Sequence, residues 1–229
     1  MCIIIFMKNT TTNEIMDTTN TLFNAGNFEA HNINFLIDTK DALKVLAEVA
    51  KKYGKLDIDT LLNEFHDSYI GEKLGFSEVN VSKHGFDCCD NNGRFLESKV
   101  SSASASSYTA TFNDTNLEKA DSFKKDNVWL AYSIWADPAT PICVAYGQHK
   151  GIGEFLEQKV RKFKSGKGGV RSTQSVSLTN LLFKYGFKLY ALDYSKEEVV
   201  KFFRENGKGK LKKLTVDDVH DIESVQICR

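Results

Sequence analysis

The sequence has little proline and no net charge, and both absences limit what the protein can be. Only two prolines occur among 229 residues, which excludes long, rigid, proline-rich linkers. Basic and acidic residues number 30 each, so a uniformly basic nucleic-acid binder is excluded, although a local basic stripe is not. The chain is 41% apolar and 26% charged and contains 16 Phe, which indicates a globular protein with a sizeable core.

The sequence has only five cysteines, an odd number, and it has no long apolar run. The five cysteines include no C-x-x-C pair, so we expect neither a disulfide framework nor a zinc site. The apolar start at residues 1–7 is too short for a signal peptide and lacks a basic beginning. No run approaches the roughly 20 apolar residues of a membrane span. We therefore expect a cytoplasmic protein that does not cross a membrane.

The order of the predicted elements indicates the fold class. Helical periodicity predicts helices over residues 41–52 and 59–74, after which the pattern changes to short β-rich runs, one of them at 79–81. Strands and helices then follow in mixed order, which predicts one α/β or α+β domain. We divide this single domain into an N-terminal segment (1–38), a catalytic core (39–206) and a C-terminal tail (207–229).

A hairpin signal lies within the β-rich part. Asn91-Asn92-Gly93 separates two β-rich runs, as a hairpin loop does. A three-residue loop places Asp87 opposite Glu97, whereas a two-residue turn places it opposite Ser98, whose side chain faces the other way. Three-residue loops that end in a left-handed glycine are common, so we favour the first register.

Charged residues in the second run of this hairpin suggest chemistry. Glu97 and Lys99 are two apart, so on a strand their side chains share a face, and burying such a pair is costly unless it has a use. The favoured register brings Asp87 to the same face. Two neighbouring carboxylates repel each other unless a cation lies between them, and Mg²⁺ prefers carboxylates together with waters and phosphate oxygens. We predict a Mg²⁺ site at Asp87 and Glu97, with Lys99 orienting a metal-bound water.

The preceding helix offers a fourth site residue. Glu72 lies seven residues after Phe65 and eleven after Leu61, and these spacings keep all three side chains on one helical face. A glutamate on a face turned toward the core is unusual. We therefore predict that Glu72 is a further ligand of the metal or of a water. Asp90 is a rival to Asp87 as the first acid, although its place at the turn leaves it less buried.

These residues together resemble the PD-(D/E)XK nuclease superfamily, and most closely its type II restriction endonucleases. The match consists of a helix acid, Glu72, then Asp87, then a hairpin into Glu97-x-Lys99, and it covers about residues 57–146. The resemblance implies a restriction-endonuclease-like core, with a central mixed β-sheet flanked by helices. It also implies a homodimer and Mg²⁺-dependent hydrolysis of DNA that leaves 5′-phosphate ends. One departure from the family pattern is that no proline precedes Asp87.

A basic, glycine-rich stretch follows the predicted catalytic strands. Between residues 150 and 171, seven Lys or Arg stand against two Glu. Basic side chains bind phosphates, and Arg and Gln can distinguish guanine and adenine in the major groove. We therefore predict a DNA-recognition loop near residues 161–177. Its candidate DNA-binding residues are Arg161, Lys162, Lys164, Lys167, Arg171, Ser172 and Gln174.

The sequence leaves three functions open. The first is a site-specific double-strand DNA endonuclease of the restriction type. The second is a structure-selective nuclease such as a Holliday junction resolvase, which would have the same site but a broader and flatter basic surface. The third is a non-catalytic DNA-binding or interaction protein, in which Asp87, Glu97 and Lys99 would not converge.

Overall fold

The structure is a computed structural model that describes residues 25–55, 57–78, 86–164 and 173–227. The chain divides into two units, residues 1–61 and 62–229. In the first unit, the long helix α1 (Ala25–Lys52) is followed by Gly54, whose φ of +68° lets the chain turn in the left-handed region. Both β-sheets belong to the second unit.

The second unit is built on a mixed sheet of seven strands. In spatial order the strands are β1 (Ser77–Glu78), β2 (Cys88–Cys89), β3 (Phe95–Ser102), β5 (Val128–Asp137), β6 (Thr140–Gln148), β8 (Lys188–Ala191) and β9 (Val219–Asp221). The pairs β3–β5 and β8–β9 are parallel, and the other neighbouring pairs are antiparallel. A separate two-stranded sheet joins β4 (Thr109–Phe112) to β7 (Gln174–Ser177).

Helices accompany these strands along the chain. Their bounds are α2 (Ile58–Leu74), α3 (Leu117–Phe123), α4 (Lys150–Lys164), α5 (Leu178–Phe183), α6 (Lys196–Asn206) and α7 (Glu223–Ile227), with 3₁₀ turns at Gly209–Lys213 and Val216–Asp218. Local sequence sets some of these starts: Ser195 and Glu198 form a capping box at α6, and Asn116 caps α3.

Two apolar layers cover the sheet from opposite sides. Strands β5 and β6 are buried along most of their length, because helices pack on both of their faces. In one layer Leu130 packs with Phe123 of α3, and in the other Leu96 packs with Ile70 of α2. Alternate residues of a strand face opposite sides, so Leu96 and Glu97 point into different layers. The fold is α/β with a central mixed sheet flanked by helices, which confirms the predicted fold class.

Some segments differ from their sequence predictions. Helix α1 begins at Ala25, so part of the N-terminal segment 1–38 is helical although its periodicity is weak. The predicted C-terminal tail, 207–229, contributes β9 to the central sheet, because its few apolar residues pack in the core. The strand predicted at 79–81 lies outside the described residues.

Candidate active site

The β2–β3 hairpin turns through the predicted three-residue loop. Cys88 pairs with Leu96, and the register continues to the turn so that residues 91–93 form the loop. The last loop residue is a glycine with φ of +73°, a conformation that costs glycine little. The same register places Asp87 opposite Glu97 on one face of the sheet.

Asp90, the rival first acid, stabilises the turn. Its Oδ1 accepts from the backbone N–H groups of Asn92 and Arg94, at 3.0 and 2.8 Å. Its Oδ2 pairs with Arg94 Nε at 2.6 Å. Burial by itself raises the pKa of Asp90, but the hydrogen bonds from Arg94 and Asn92 outweigh it, so this pKa is lowered. The carboxylate is therefore committed to the loop and lies away from the cluster formed by Asp87.

Asp87, which lies just before β2, converges with Glu97 and Lys99 of β3. Asp87 Oδ2 accepts from the backbone N–H of Ser98 at 2.6 Å, so the side chain replaces a strand partner at that point. Lys99 Nζ lies 2.7 Å from Glu97 Oε1 and donates to the carbonyl of Ser98 at 2.8 Å. Glu97 is only 6% exposed. A single buried charge is costly, so the charges of Glu97 and Lys99 stabilise each other.

Burial and the neighbouring charges together determine the protonation of this cluster. Burial is the main cause that raises the pKa of Asp87 to about 7, and the charges of Glu97 and Asp67 add to it. Burial by itself lowers the pKa of Lys99, but Glu97 and Asp87 outweigh it, so this pKa is raised. Lys99 is therefore an ammonium group at neutral pH, while Asp87 is only partly ionised. The cluster therefore has one cationic group, Lys99, against the acids Asp87, Glu97 and Asp67.

Helix α2 contributes Asp67 to the cluster, a residue that the sequence analysis did not select. Burial raises the pKa of the Asp67 carboxyl. The nearby Ser98 hydroxyl and Lys99 ammonium favour its ionised form, and the charge of Glu97 opposes it. The Asp67 carbonyl accepts a weak hydrogen bond from Cys88 Sγ at 3.5 Å, so this turn of α2 lies directly on β2.

Glu72, the predicted helix acid, does not face the core as expected: its side chain is exposed, and Asp67 rather than Glu72 is the α2 acid whose charge acts on Asp87. The prediction took the core-facing side of the helix from Phe65, which is itself 39% exposed. The buried side of α2 instead carries Ile70 and Leu74, three and seven residues after Asp67. Placing the buried side of the helix from Ile70 and Leu74, rather than from Phe65, would have selected Asp67.

A cleft of about 680 Å³ borders Asp87 and Glu97. Its other wall runs from the end of β4 into α3 and consists of Asn113, Asp114, Asn116, Glu118, Lys119, Ser122 and Phe123. Asp114 has φ of +50°, which aspartate tolerates better than most residues, and it turns the chain toward α3. The cleft lining contains four acids and one lysine, so a negatively charged ligand requires an added cation there.

Four of the seven predicted DNA-binding residues fall wholly or partly outside the described parts of the chain: Lys167, Arg171, Ser172 and the side chain of Lys164. Two others, Arg161 and Lys162, are exposed on α4. Arg161 donates through two nitrogens to Glu157 Oε1, at 2.8 and 2.6 Å. One of these two cations therefore already has a carboxylate partner.

The basic stretch ends beside the cleft. Gln174, the last predicted DNA-binding residue, begins β7 and pairs with Phe112 of β4. The hydroxyl of Thr173 donates to Asn113 Oδ1 at 3.4 Å, and Asn113 lines the cleft. The β4–β7 sheet thus connects the end of the predicted recognition loop to the wall that faces Asp87.

Asp87 and Glu97 are the carboxylates of this site that could hold a metal ion. Within the described ranges, no three His, Cys, Asp or Glu side chains form a ready-made metal-binding group. Mg²⁺ is commonly bound by one or two carboxylates and several waters, so the pair Asp87 and Glu97 fits this metal better than zinc. Cys88, Cys89 and Cys143 are free thiols.

Comparison of the chain with models of known protein families gives no match. A search of curated proteins gives none either. Among the described helices, none combines the length and the apolar character needed to cross a bilayer. Function is therefore inferred from the geometry and chemistry of the site.

Proposed function

We propose that this protein is a Mg²⁺-dependent DNA endonuclease whose active site consists of Asp87, Glu97 and Lys99. The observation that carries the proposal is the meeting of these residues beside a cleft. Asp87 lies opposite Glu97, and Glu97 pairs with Lys99 at 2.7 Å. A hairpin with a purely structural role would leave such charges in water, because burial costs more than the pair returns.

Asp87 and Glu97 are the residues that would hold the metal ion. Burial and the charges of Glu97 and Asp67 raise the pKa of Asp87 to about 7, so a divalent cation would relieve an unfavourable interaction. Asp114 and Glu118 make the cleft still more acidic, and a DNA phosphate would be repelled without a cation. When bound, Mg²⁺ would supply the Lewis acidity and charge neutralisation that phosphodiester hydrolysis requires.

Lys99 is a hydrogen-bond donor rather than a base in this proposal. The charges of Glu97 and Asp87 raise its pKa, so it keeps its proton at neutral pH. The ammonium group is then available to orient an attacking water or to stabilise charge on a phosphate oxygen. Asp67 is a positioning residue, because its charge favours the protonated form of Lys99 without a direct role in the reaction.

The proposed substrate is double-stranded DNA, cut at specific sites in the manner of a type II restriction enzyme. This finer assignment rests on the resemblance of Asp87, Glu97 and Lys99 to the PD-(D/E)XK pattern. It includes 5′-phosphate ends, a homodimer and a cytoplasmic role in restriction–modification. The contact between Thr173 and Asn113 supports it, because the basic stretch then ends beside the cleft.

Plasmid digestion tests the proposal. Supercoiled plasmid is incubated with the wild type and with Lys99→Ala, each with Mg²⁺ and with EDTA. Lys201→Ala is the matched control, because Lys201 is exposed on α6. We expect Mg²⁺-dependent cutting by the wild type and the control. Lys99→Ala should cut about a hundredfold to a thousandfold more slowly, the usual loss when one donor to the transition state is removed.

The products distinguish the kinds of nuclease. Discrete bands would support a restriction enzyme, and a smear would indicate a nonspecific nuclease. Cutting confined to four-way junctions would support a structure-selective enzyme. Absence of Mg²⁺-dependent cutting on every DNA form would overturn the nuclease proposal in favour of a binding protein.

A further inference from the structure

A second cavity, of about 640 Å³, lies on the other face of the central sheet. We call it the aromatic pocket and define it by six of its lining residues: Arg94, Trp129, Tyr146, Tyr185, Lys188 and Tyr190. Trp129 neighbours Leu96 in the sheet, and Leu96 faces away from Glu97. The sheet therefore separates the aromatic pocket from the proposed active site.

Side chains from four strands form a floor of rings in this pocket. Trp129 of β5 stacks on Tyr146 of β6, with ring centroids 5.1 Å apart and 22° between the planes. Tyr146 meets Tyr190 of β8 edge-on at 6.4 Å, and Tyr190 lies 5.5 Å from His220 of β9. The regular sheet holds these rings in a continuous row, so the floor is formed before any ligand arrives.

The charges around the aromatic pocket are of one sign. Its lining residues, all of them in the described part of the chain, include no acid, whereas Arg94 and Lys188 are cationic. Arg94 Nε donates to the Asp90 carboxylate at 2.6 Å, and its two terminal amino groups remain as further donors. The pocket therefore favours a ligand that carries negative charge. A ligand that combines a flat apolar face with an anionic group matches both features of the pocket.

We propose that the aromatic pocket binds a nucleotide, with the base on the floor of rings and the phosphate at Arg94 and Lys188. Nucleobases stack on aromatic side chains through their flat faces. Arginine and lysine are the usual phosphate donors. The pocket volume falls within the roughly 300–1,000 Å³ of small-ligand sites. Because rings and cations bind here, no metal is required, and the proposal stands independently of the nuclease activity.

Calorimetric titration in EDTA tests this proposal on the full chain. The probes are the four 2′-deoxynucleoside 5′-monophosphates, with inorganic phosphate as the comparison ligand. The variants are Lys188→Glu, which reverses an exposed charge at the rim, and Tyr185→Ala, which removes a ring. Lys212→Glu is the matched control, because Lys212 is exposed and does not line the pocket. Circular dichroism confirms that each variant is folded.

We expect at least one nucleotide to bind the wild type and the control, and to bind Lys188→Glu and Tyr185→Ala about tenfold more weakly. Inorganic phosphate should bind much more weakly than the nucleotide. Failure of every nucleotide to bind at millimolar concentration would overturn the proposal. Equal affinity for phosphate and nucleotide would also overturn it, since the rings would then contribute nothing.

A short oligothymidylate identifies the source of the nucleotide. Tighter binding of the oligomer than of thymidine monophosphate, weakened by the same two variants, would assign the pocket to a nucleotide within a single strand. Binding of the monophosphate alone would assign it to a free nucleotide. Both results support the proposal. If neither substitution changed the affinity for the oligomer, the strand would bind elsewhere, and this result would count against the proposal.

Discussion

The cleft at Asp87 and the aromatic pocket lie on opposite faces of one sheet, and their linings differ in charge and in ring content. The cleft contains four acids and one lysine, whereas the pocket contains four Trp or Tyr rings, a histidine, an arginine and a lysine. Both are proposed to meet phosphate groups. The cleft needs a cation before a phosphate can approach, and the pocket does not. The proposed catalysis is thus assigned to one face of the sheet and the proposed nucleotide binding to the other.

Side chains alternate between the two faces of a strand, and this alternation separates the cleft from the aromatic pocket. Glu97 and Leu96 are adjacent in sequence, yet their side chains enter different layers, and the neighbours of Leu96 lead to Trp129 and the pocket. A substitution on one face therefore disturbs the other face little, provided that the strand stays in place. The predictions below use this independence, from the largest expected effect to the smallest.

Removing either carboxylate should abolish cutting and leave nucleotide binding intact. For Asp87→Ala and Glu97→Ala we expect plasmid cutting to fall about a thousandfold or more, because the metal loses half of its carboxylate ligands. Calorimetry should give the same nucleotide affinity as in the wild type. Glu205→Ala, at an exposed position on α6, is the control. If nucleotide affinity fell together with cutting in folded variants, the two cavities would not be independent.

The reliability of sequence reasoning also differs between these two faces. The register of the hairpin was predictable, because the loop Asn91-Asn92-Gly93 has a known geometry and fixes which residues oppose each other. Local chemistry therefore placed Asp87 opposite Glu97 correctly. The core-facing placement of Glu72 is wrong, because Phe65 was taken as a core residue and tertiary packing leaves it 39% exposed.

The sequence analysis did not predict the aromatic pocket. Trp129 and Tyr146 lie in apolar runs, where rings are usually core residues, and nothing local marks them as lining a cavity. Lys188 and Arg94 are distant in sequence, and only the order of the strands brings them to one rim. The recognition loop shows a further limit: composition predicts its basic character, but three of its seven predicted DNA-binding residues lie within 165–172, outside the described parts.

Magnesium should stabilise the folded protein through the cleft alone. A ligand that binds only the folded state at a concentration of 100 times its Kd adds about 2.7 kcal/mol to the free energy of unfolding. We expect Mg²⁺ to raise the Tm of the wild type in a thermal melt and to have little effect on Asp87→Asn. Lys188→Glu should respond like the wild type. An equal rise in the wild type and Asp87→Asn would place the metal elsewhere.

Asp67 and Glu72 should differ although both are acids on α2. Asp67→Asn removes a charge that acts on Asp87 and Lys99, so we expect cutting to slow about tenfold and the acidic limb of its pH–rate profile to move to lower pH. Glu72→Gln should cut normally, because Glu72 is exposed. A shift of the profile distinguishes an electrostatic role from simple loss of packing. The reverse order of effects would restore Glu72 as the helix acid.

The smallest effect concerns the stability of the metal-free protein. The pKa of Asp87 is raised in the folded state from 3.8 to about 7, so the folded protein holds this proton more tightly than the unfolded chain. Stability from this group is therefore greatest below about pH 4 and falls as the pH rises to about 7. The raised pKa of Asp67 acts in the same direction.

Asp87→Asn tests that strain directly. The amide keeps an oxygen to accept from Ser98 but carries no charge, so in EDTA at pH 8 it should stabilise the fold by about 1 kcal/mol, a Tm rise of roughly 2–4 °C. Below pH 4 the two proteins should melt together. Asp90→Asn, which weakens the turn, should instead lower Tm at pH 8. If Asp87→Asn also destabilised the protein at pH 8, the carboxylates would not be in conflict, and the electrostatic reason for a metal in the cleft would be lost.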